Sequence, residues 1–125
     1  MRSIFLAAVP AGAVLLAAIP ALAQADLASG QKLFGQRCAA CHGTGAAEKK
    51  PLGPHLAGVI GRKAAGVADF KYSSALVGLN LSWNDKNLDE FLTAPATLAP
   101  GTTMVVGVPQ AEDREDLIAY LKTLN

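Results

Sequence analysis

The chain is poor in the residues that build most metal and redox centres. Its 125 residues hold two cysteines, two histidines and two methionines. A structural zinc site wants four Cys or His ligands, and here the thiols are confined to Cys38 and Cys41 and the imidazoles to His42 and His55. Long apolar runs are lacking as well. The stretch from Ile4 to Ile19 is interrupted by Pro10 and Gly12 and falls short of the ~20 residues of a stable membrane span. There is no internal repeat and no low-complexity linker, so the chain does not read as a solenoid or an array of modules.

An excess of charge of one sign is also missing, once the N-terminus is interpreted. Arg2, the apolar stretch after it and the small-x-small triplet Ala21-Leu22-Ala23 form the pattern of a secretion signal. The segment 1–23 is therefore predicted to be removed, giving a periplasmic protein with no stable membrane insertion, and 24–125 is the predicted mature domain, beginning at Gln24. Without Arg2, ten of the eleven basic residues face ten acids, so no net field draws the domain to nucleic acid or anionic lipid. The 102 residues left after removing 23 from 125 suit one small domain. Its core is limited, and a large buried apolar group would extend it.

What the chain does have is concentrated. Both cysteines lie in Cys38-Ala39-Ala40-Cys41-His42, where two thiols three residues apart can add to the two vinyl groups of a haem and the adjoining imidazole can bind the iron. A thioredoxin-like pair belongs in a βαβ setting, and no parallel-strand pattern surrounds this one. A plain disulfide would leave the histidine that follows it unexplained. The expected cofactor is thus one haem c, covalently bound through Cys38 and Cys41, with His42 as a metal ligand.

The iron needs a second ligand. Met1 leaves with the signal, and Met104 is then the one methionine remaining. It sits in Pro100-Gly101-Thr102-Thr103-Met104, on a turn rather than at the periodic helical position of a core methionine. Its thioether is a soft ligand that raises the reduction potential. His55 is the rival, in a Gly-Pro-containing loop close after the haem motif, where a solvent-facing or hydrogen-bonded histidine is the plainer reading.

Short helices carry the rest. Asp26 caps a predicted helix to about Cys38 with Leu27, Gly30 and Phe34 on its buried face. Glu112 to Leu124 repeats Leu117, Tyr120, Leu121 and Leu124 at helical spacing, with Glu112, Asp113, Glu115 and Asp116 in its opening turns, where the helix dipole favours acids. These terminal helices are expected to pack together, with Gly30 allowing close approach. Residues 42–72, rich in Gly, Pro, Lys and Ala, read as a long ordered loop. Asn84 to Leu92 signals a short helix with Leu88, Phe91 and Leu92 on one face, and Pro95 opens at most one more turn before Pro100-Gly101. The fold class is all-α.

Taken in order, Gly30 and Phe34, Cys38-Ala39-Ala40-Cys41-His42, Gly53-Pro54, Gly61-Arg62-Lys63, Phe70-Lys71-Tyr72, Trp83, Pro95, Pro100-Gly101-Thr102-Thr103-Met104 and Arg114 to Lys122 resemble the class I cytochromes c, in particular the mitochondrial and bacterial c2-type branch. The resemblance spans nearly the whole predicted mature chain. It implies the cytochrome c fold, short helices and loops wrapped around one haem, with His42 and Met104 on the iron. It implies that the Pro54 carbonyl accepts from the second nitrogen of His42, and that Arg62, Tyr72, Trp83 and Thr102 surround the buried haem propionates. By themselves, Trp83 and Tyr72 read as core aromatics. Against the mitochondrial pattern, Phe91 replaces a tyrosine, Leu76 an asparagine, Val106 a phenylalanine and Thr103 a lysine, so the exposed haem edge should be smaller-walled and less basic.

The function implied is a soluble one-electron carrier rather than an enzyme, with a bc1-type complex, an oxidase, a reaction centre or a periplasmic dehydrogenase as partner and a monomer as the default state. Two alternatives differ in class: the dedicated haem subunit of one dehydrogenase, and a haem peroxidase or sensor in which Met104 leaves the iron. Lys32, Arg37, Lys49 and Lys50 lie near the haem motif in sequence, which predicts a modestly positive haem-edge side.

Overall fold

A computed structural model describes residues 24–125; the predicted signal 1–23 lies outside the described residues. Among these, five helices and no strand occur: α1 (Leu27–Arg37), α2 (Ser74–Gly78), α3 (Asp85–Thr93), α4 (Pro95–Leu98) and α5 (Ala111–Leu121). The domain is all-α, as expected.

Helix α1 starts where the sequence predicts. The Asp26 carboxylate accepts from Ala28 N at 2.8 Å and Ser29 N at 3.1 Å, satisfying two amides that have no partner within the helix. The helix crosses α5 at Gly30, where a Cβ would lie 2.1 Å from the Asp116 carbonyl oxygen. Only hydrogen fits. One turn later the Phe34 and Tyr120 rings meet with centroids 5.5 Å apart, and at the start Asp26 N donates to Asp116 Oδ1 at 2.6 Å. Leu27, expected on the buried face, is exposed. It lies one turn before the closest approach at Gly30.

Helix α5 ends at Leu121 rather than Leu124. The last residues leave the helical path in a turn, with Thr123 N donating to Tyr120 O. The Leu124 carbonyl then accepts from Gly58 N at 2.8 Å, fastening this segment to the long loop. Of the four predicted acids, Glu112 and Asp113 occupy the first turn and Glu115 and Asp116 the next. Arg114, buried within this helix, donates from Nε to Asp89 Oδ1 on α3 at 2.6 Å and from Nη1 to the Val108 and Pro109 carbonyls at 3.0 and 2.7 Å.

Helix α3 begins with Asn84 and Asn87 in a reciprocal capping box and buries Leu88, Phe91 and Leu92, and α4 is the single turn expected after Pro95. Helix α2 is an addition to the sequence reading. It is five residues long, is capped by the Ser73 hydroxyl and buries none of its residues, so it leaves no periodic signal.

Residues 42–72 contain no helix, yet they are tied throughout. Leu56 N donates to Gly43 O at 2.9 Å, Gly61 N to Trp83 O at 2.7 Å, Trp83 N to Arg62 O at 2.9 Å and Ala64 N to Leu81 O at 2.8 Å. An antiparallel bridge between Lys63 and Ser82 completes a short ladder that sets Arg62 beside Trp83. Gly58 and Gly61 take positive φ in this segment, a conformation glycine adopts without penalty.

Candidate functional site

The loop and the helices enclose a cavity of about 400 Å³, within the size range of small-molecule and cofactor sites. Its floor is apolar, made by Val59 and by Leu88, Leu92, Val108, Leu117 and Leu121 of the core. The chemistry-bearing residues converge on the walls: Cys38, Cys41, His42, Pro54, Arg62, Tyr72, Trp83 and Met104 all line it. These are eight of the nine residues predicted from sequence.

Thr102 is the ninth and does not line the cavity. It is buried behind Met104, whose backbone N donates to the Thr102 hydroxyl at 3.3 Å. The hydroxyl therefore helps shape the Met104 turn. His55, the rival ligand, is also off the wall. It borders a separate small pocket of about 40 Å³ with Lys49, Lys50 and Asp69, and its Nδ1 is buried there without a protein partner.

Cys38 and Cys41 are free and half-buried. Burial pushes the Cys38 thiol up to about 11, with the Cys41 thiol reinforcing the rise and Arg37 opposing it. Reactive C-x-x-C pairs work the other way, through a thiolate with a depressed pKa. A dithiol redox centre is thus a poor fit, whereas thiols facing an apolar cavity suit thioether attachment of a haem.

The His42 ring is held by one hydrogen bond. Its Nδ1 lies 2.7 Å from the Pro54 carbonyl oxygen, which can only accept, so Nδ1 carries the proton and Nε2 keeps its lone pair. Burial lowers the pKa of this imidazole; Arg62 and Lys50 lower it further, while the Pro54 bond opposes them. The neutral form is the one a metal needs. Gly53 makes room for the ring, because a Cβ there would sit 2.7 Å from His42 Cε1 and 2.8 Å from the Cys41 carbonyl oxygen. Sequence reading noted Gly53 within a motif without assigning it this role, which only the folded loop reveals.

Arg62 is held from behind. Nη1 donates to Ala57 O and Nη2 to His55 O, both at 2.9 Å, and burial lowers its pKa, with Tyr72 opposing. Tyr72 accepts from Val67 N at 3.1 Å, leaving its own hydroxyl proton available. Among the described residues no Asp or Glu lines the cavity. A half-buried guanidinium with no carboxylate opposite it fits an anionic group entering with the ligand. Two thiols, an imidazole lone pair, a thioether, an apolar floor and an unanswered cation together fit a haem with its propionates.

Around the mouth the surface is apolar rather than basic. Leu52 is 73% exposed, Val105 79% and Val106 46%, and all three border the cavity. Two of the four predicted positive residues are paired, Lys49 with Asp69 and Lys50 with Glu48. Arg37 and Lys63 are the exposed bases on the rim.

Comparison with known proteins agrees with this geometry. The family model described as Cytochrome c matches residues 27–125. A cytochrome c2 of Agrobacterium tumefaciens is 41% identical over 102 residues, covering 78% of this chain and 91% of that protein. A cytochrome c2 of Rhodomicrobium vannielii is 39% identical over 124 residues, covering 98% of this chain and 97% of that protein. The protein named cytochrome c-type cyt cy from Rhodobacter capsulatus is 44% identical over 106 residues, but this chain spans about half of it, 52% of its length.

Proposed function

The chain belongs to the cytochrome c family, the haem c electron carriers, and from that premise we propose that it is a periplasmic shuttle in which His42 and Met104 would hold the haem iron. The observation that carries the ligand set is the placement of both side chains on the walls of one cavity, with His42 fixed in the tautomer that binds metal. The bound haem supplies a one-electron couple.

The residues of the chain do the rest. Cys38 and Cys41 tether the cofactor and set its orientation. The Pro54 carbonyl keeps the His42 ring from rotating, and Met104 supplies the soft ligand that raises the potential. His42 and Met104 would both hold the iron, and the group so held would supply one-electron chemistry. Leu88, Leu92, Leu117 and Leu121 exclude water from the floor, and Arg62, Tyr72 and Trp83 supply donors for carboxylates that would otherwise be buried unpaired.

Export follows from the signal pattern in residues 1–23. Among the described residues no helix is long and apolar enough to cross a membrane. The partner is a larger redox protein, a bc1-type complex, an oxidase, a reaction centre or a dehydrogenase, which docks on the apolar mouth flanked by Arg37 and Lys63. Electron transfer with that partner should therefore slow only weakly as salt rises, because few unpaired charges stand at the contact.

A near-infrared spectrum of the ferric protein, combined with addition of hydrogen peroxide, tests the reading. A sulfur-to-iron band and no peroxide turnover support the carrier. A high-spin spectrum without that band, with peroxide consumed, overturns it in favour of a peroxidase or sensor.

A further inference from the structure

One lysine stands out from the surface set. The Lys50 side chain is 28% exposed, against 74% for its neighbour Lys49. Lys49 reaches outward to Asp69. Lys50 turns inward and donates from Nζ to the carbonyl oxygen of Ala39, inside the Cys38 to Cys41 segment, while Glu48 Oε1 lies 3.5 Å from the same ammonium. The other Glu48 oxygen is committed to the Thr44 amide and hydroxyl at 2.9 and 3.2 Å. The loop after His42 therefore folds back on itself and returns a cation to the peptide between the two cysteines.

We propose that Lys50 is a positioning residue for the haem site, clamping the cysteine segment against the loop that holds His42 and keeping a fixed positive charge on the histidine side that raises the reduction potential. The inference rests on the electron-carrier reading with His42 on the iron. Held on the Ala39 carbonyl, the ammonium repels other positive charge beside the segment that carries both cysteines and His42. By the same electrostatics it disfavours the ferric state, which carries one positive charge more than the ferrous. Glu48 offsets this only in part, because its side chain is the more exposed of the two at 47% and more of its field is screened by solvent. Lys49, paired and solvated, has no such lever.

The test is the midpoint potential of the intact haem protein in wild type, Lys50→Gln, Lys50→Met, Lys50→Arg and Lys49→Gln, with the near-infrared sulfur band recorded on each sample. Lys50→Gln and Lys50→Met should shift the equilibrium toward the ferric form by about threefold, roughly 30 mV at 59 mV per tenfold for one electron. Lys50→Arg should restore most of the difference and Lys49→Gln should leave the potential unchanged. Equal potentials for wild type and Lys50→Gln, or an equal fall in Lys49→Gln, overturns the proposal. A wild-type protein without the sulfur band refutes the His/Met reading instead, and the Lys50 comparison still decides its own question by the same shift.

Discussion

The two walls that bring ligands to the cavity are built differently. On the histidine side, ring, loop and backbone interlock: His42 on the Pro54 carbonyl at 2.7 Å, Leu56 N on Gly43 O at 2.9 Å, Arg62 on two carbonyls and Gly53 with no space for a side chain. On the methionine side, Met104 N donates to the Thr102 hydroxyl at a long 3.3 Å, and Val105 and Val106 project into solvent. The chain is next secured at Val108, whose N donates to Leu92 O at 2.7 Å. Each wall is local in sequence, but only the first is held by many independent bonds. The proposed histidine ligand is therefore fixed by the fold, while the proposed methionine ligand hangs from its two ends and should yield first under stress.

The largest effect should come from disturbing the rigid wall. In Gly53→Ala the new methyl group would lie within 3 Å of the His42 ring and the Cys41 carbonyl. The loss should be about 3 kcal/mol or more, the upper end for overpacking, read as a fall in melting temperature and in haem-loaded yield. Retention of both would break the comparison. Next comes the far anchor of the methionine wall. Arg114→Leu leaves the Val108 and Pro109 carbonyls and Asp89 without their donor and should cost about 2–3 kcal/mol in a denaturant titration. The sulfur band should fade at lower denaturant than in wild type.

Thr102→Val keeps the shape of the near anchor and removes the oxygen that accepts from Met104 N. A loss of about 1 kcal/mol is expected, detected as earlier loss of the sulfur band with unchanged histidine ligation. The smallest effect is that of acid. The His42 pKa is lowered in the fold, so proton competition is held off as pH falls through the ordinary imidazole value of about 6.5 and begins only below it. The low-spin visible spectrum should be flat across pH 6.5, and a titration centred there would contradict the burial of this ring.

Much of this site was legible because its chemistry is local. Cys38, Cys41 and His42 form one pentapeptide, Met104 stands on a turn, and Asp26 and Asn84 cap helices at their own positions. The less legible parts depend on distant partners. Leu27 shares a helical face with Gly30 and Phe34, but how far α5 extends over that face is a tertiary fact. After α5 the chain turns, with Thr123 N donating to Tyr120 O, and the Leu124 carbonyl accepts from Gly58 N, over sixty residues away. Helix α2 buries none of its residues, so no hydrophobic period could announce it. The expected positive patch is thinner than the count of lysines suggested, because Asp69 and Glu48 pair with Lys49 and Lys50 through the fold. Thr102 was given a place near the propionates by resemblance alone, and its hydroxyl turns toward Met104 N.

The most direct test is a denaturant titration of the ferric haem protein, following the near-infrared sulfur band and the far-ultraviolet helix signal on the same sample. With His42 and Met104 on the iron and walls of unequal strength, the band is present in the native protein and disappears at lower denaturant than the helices. Absence of the band at the start, or its loss in one coincident transition with the helices, would contradict the account.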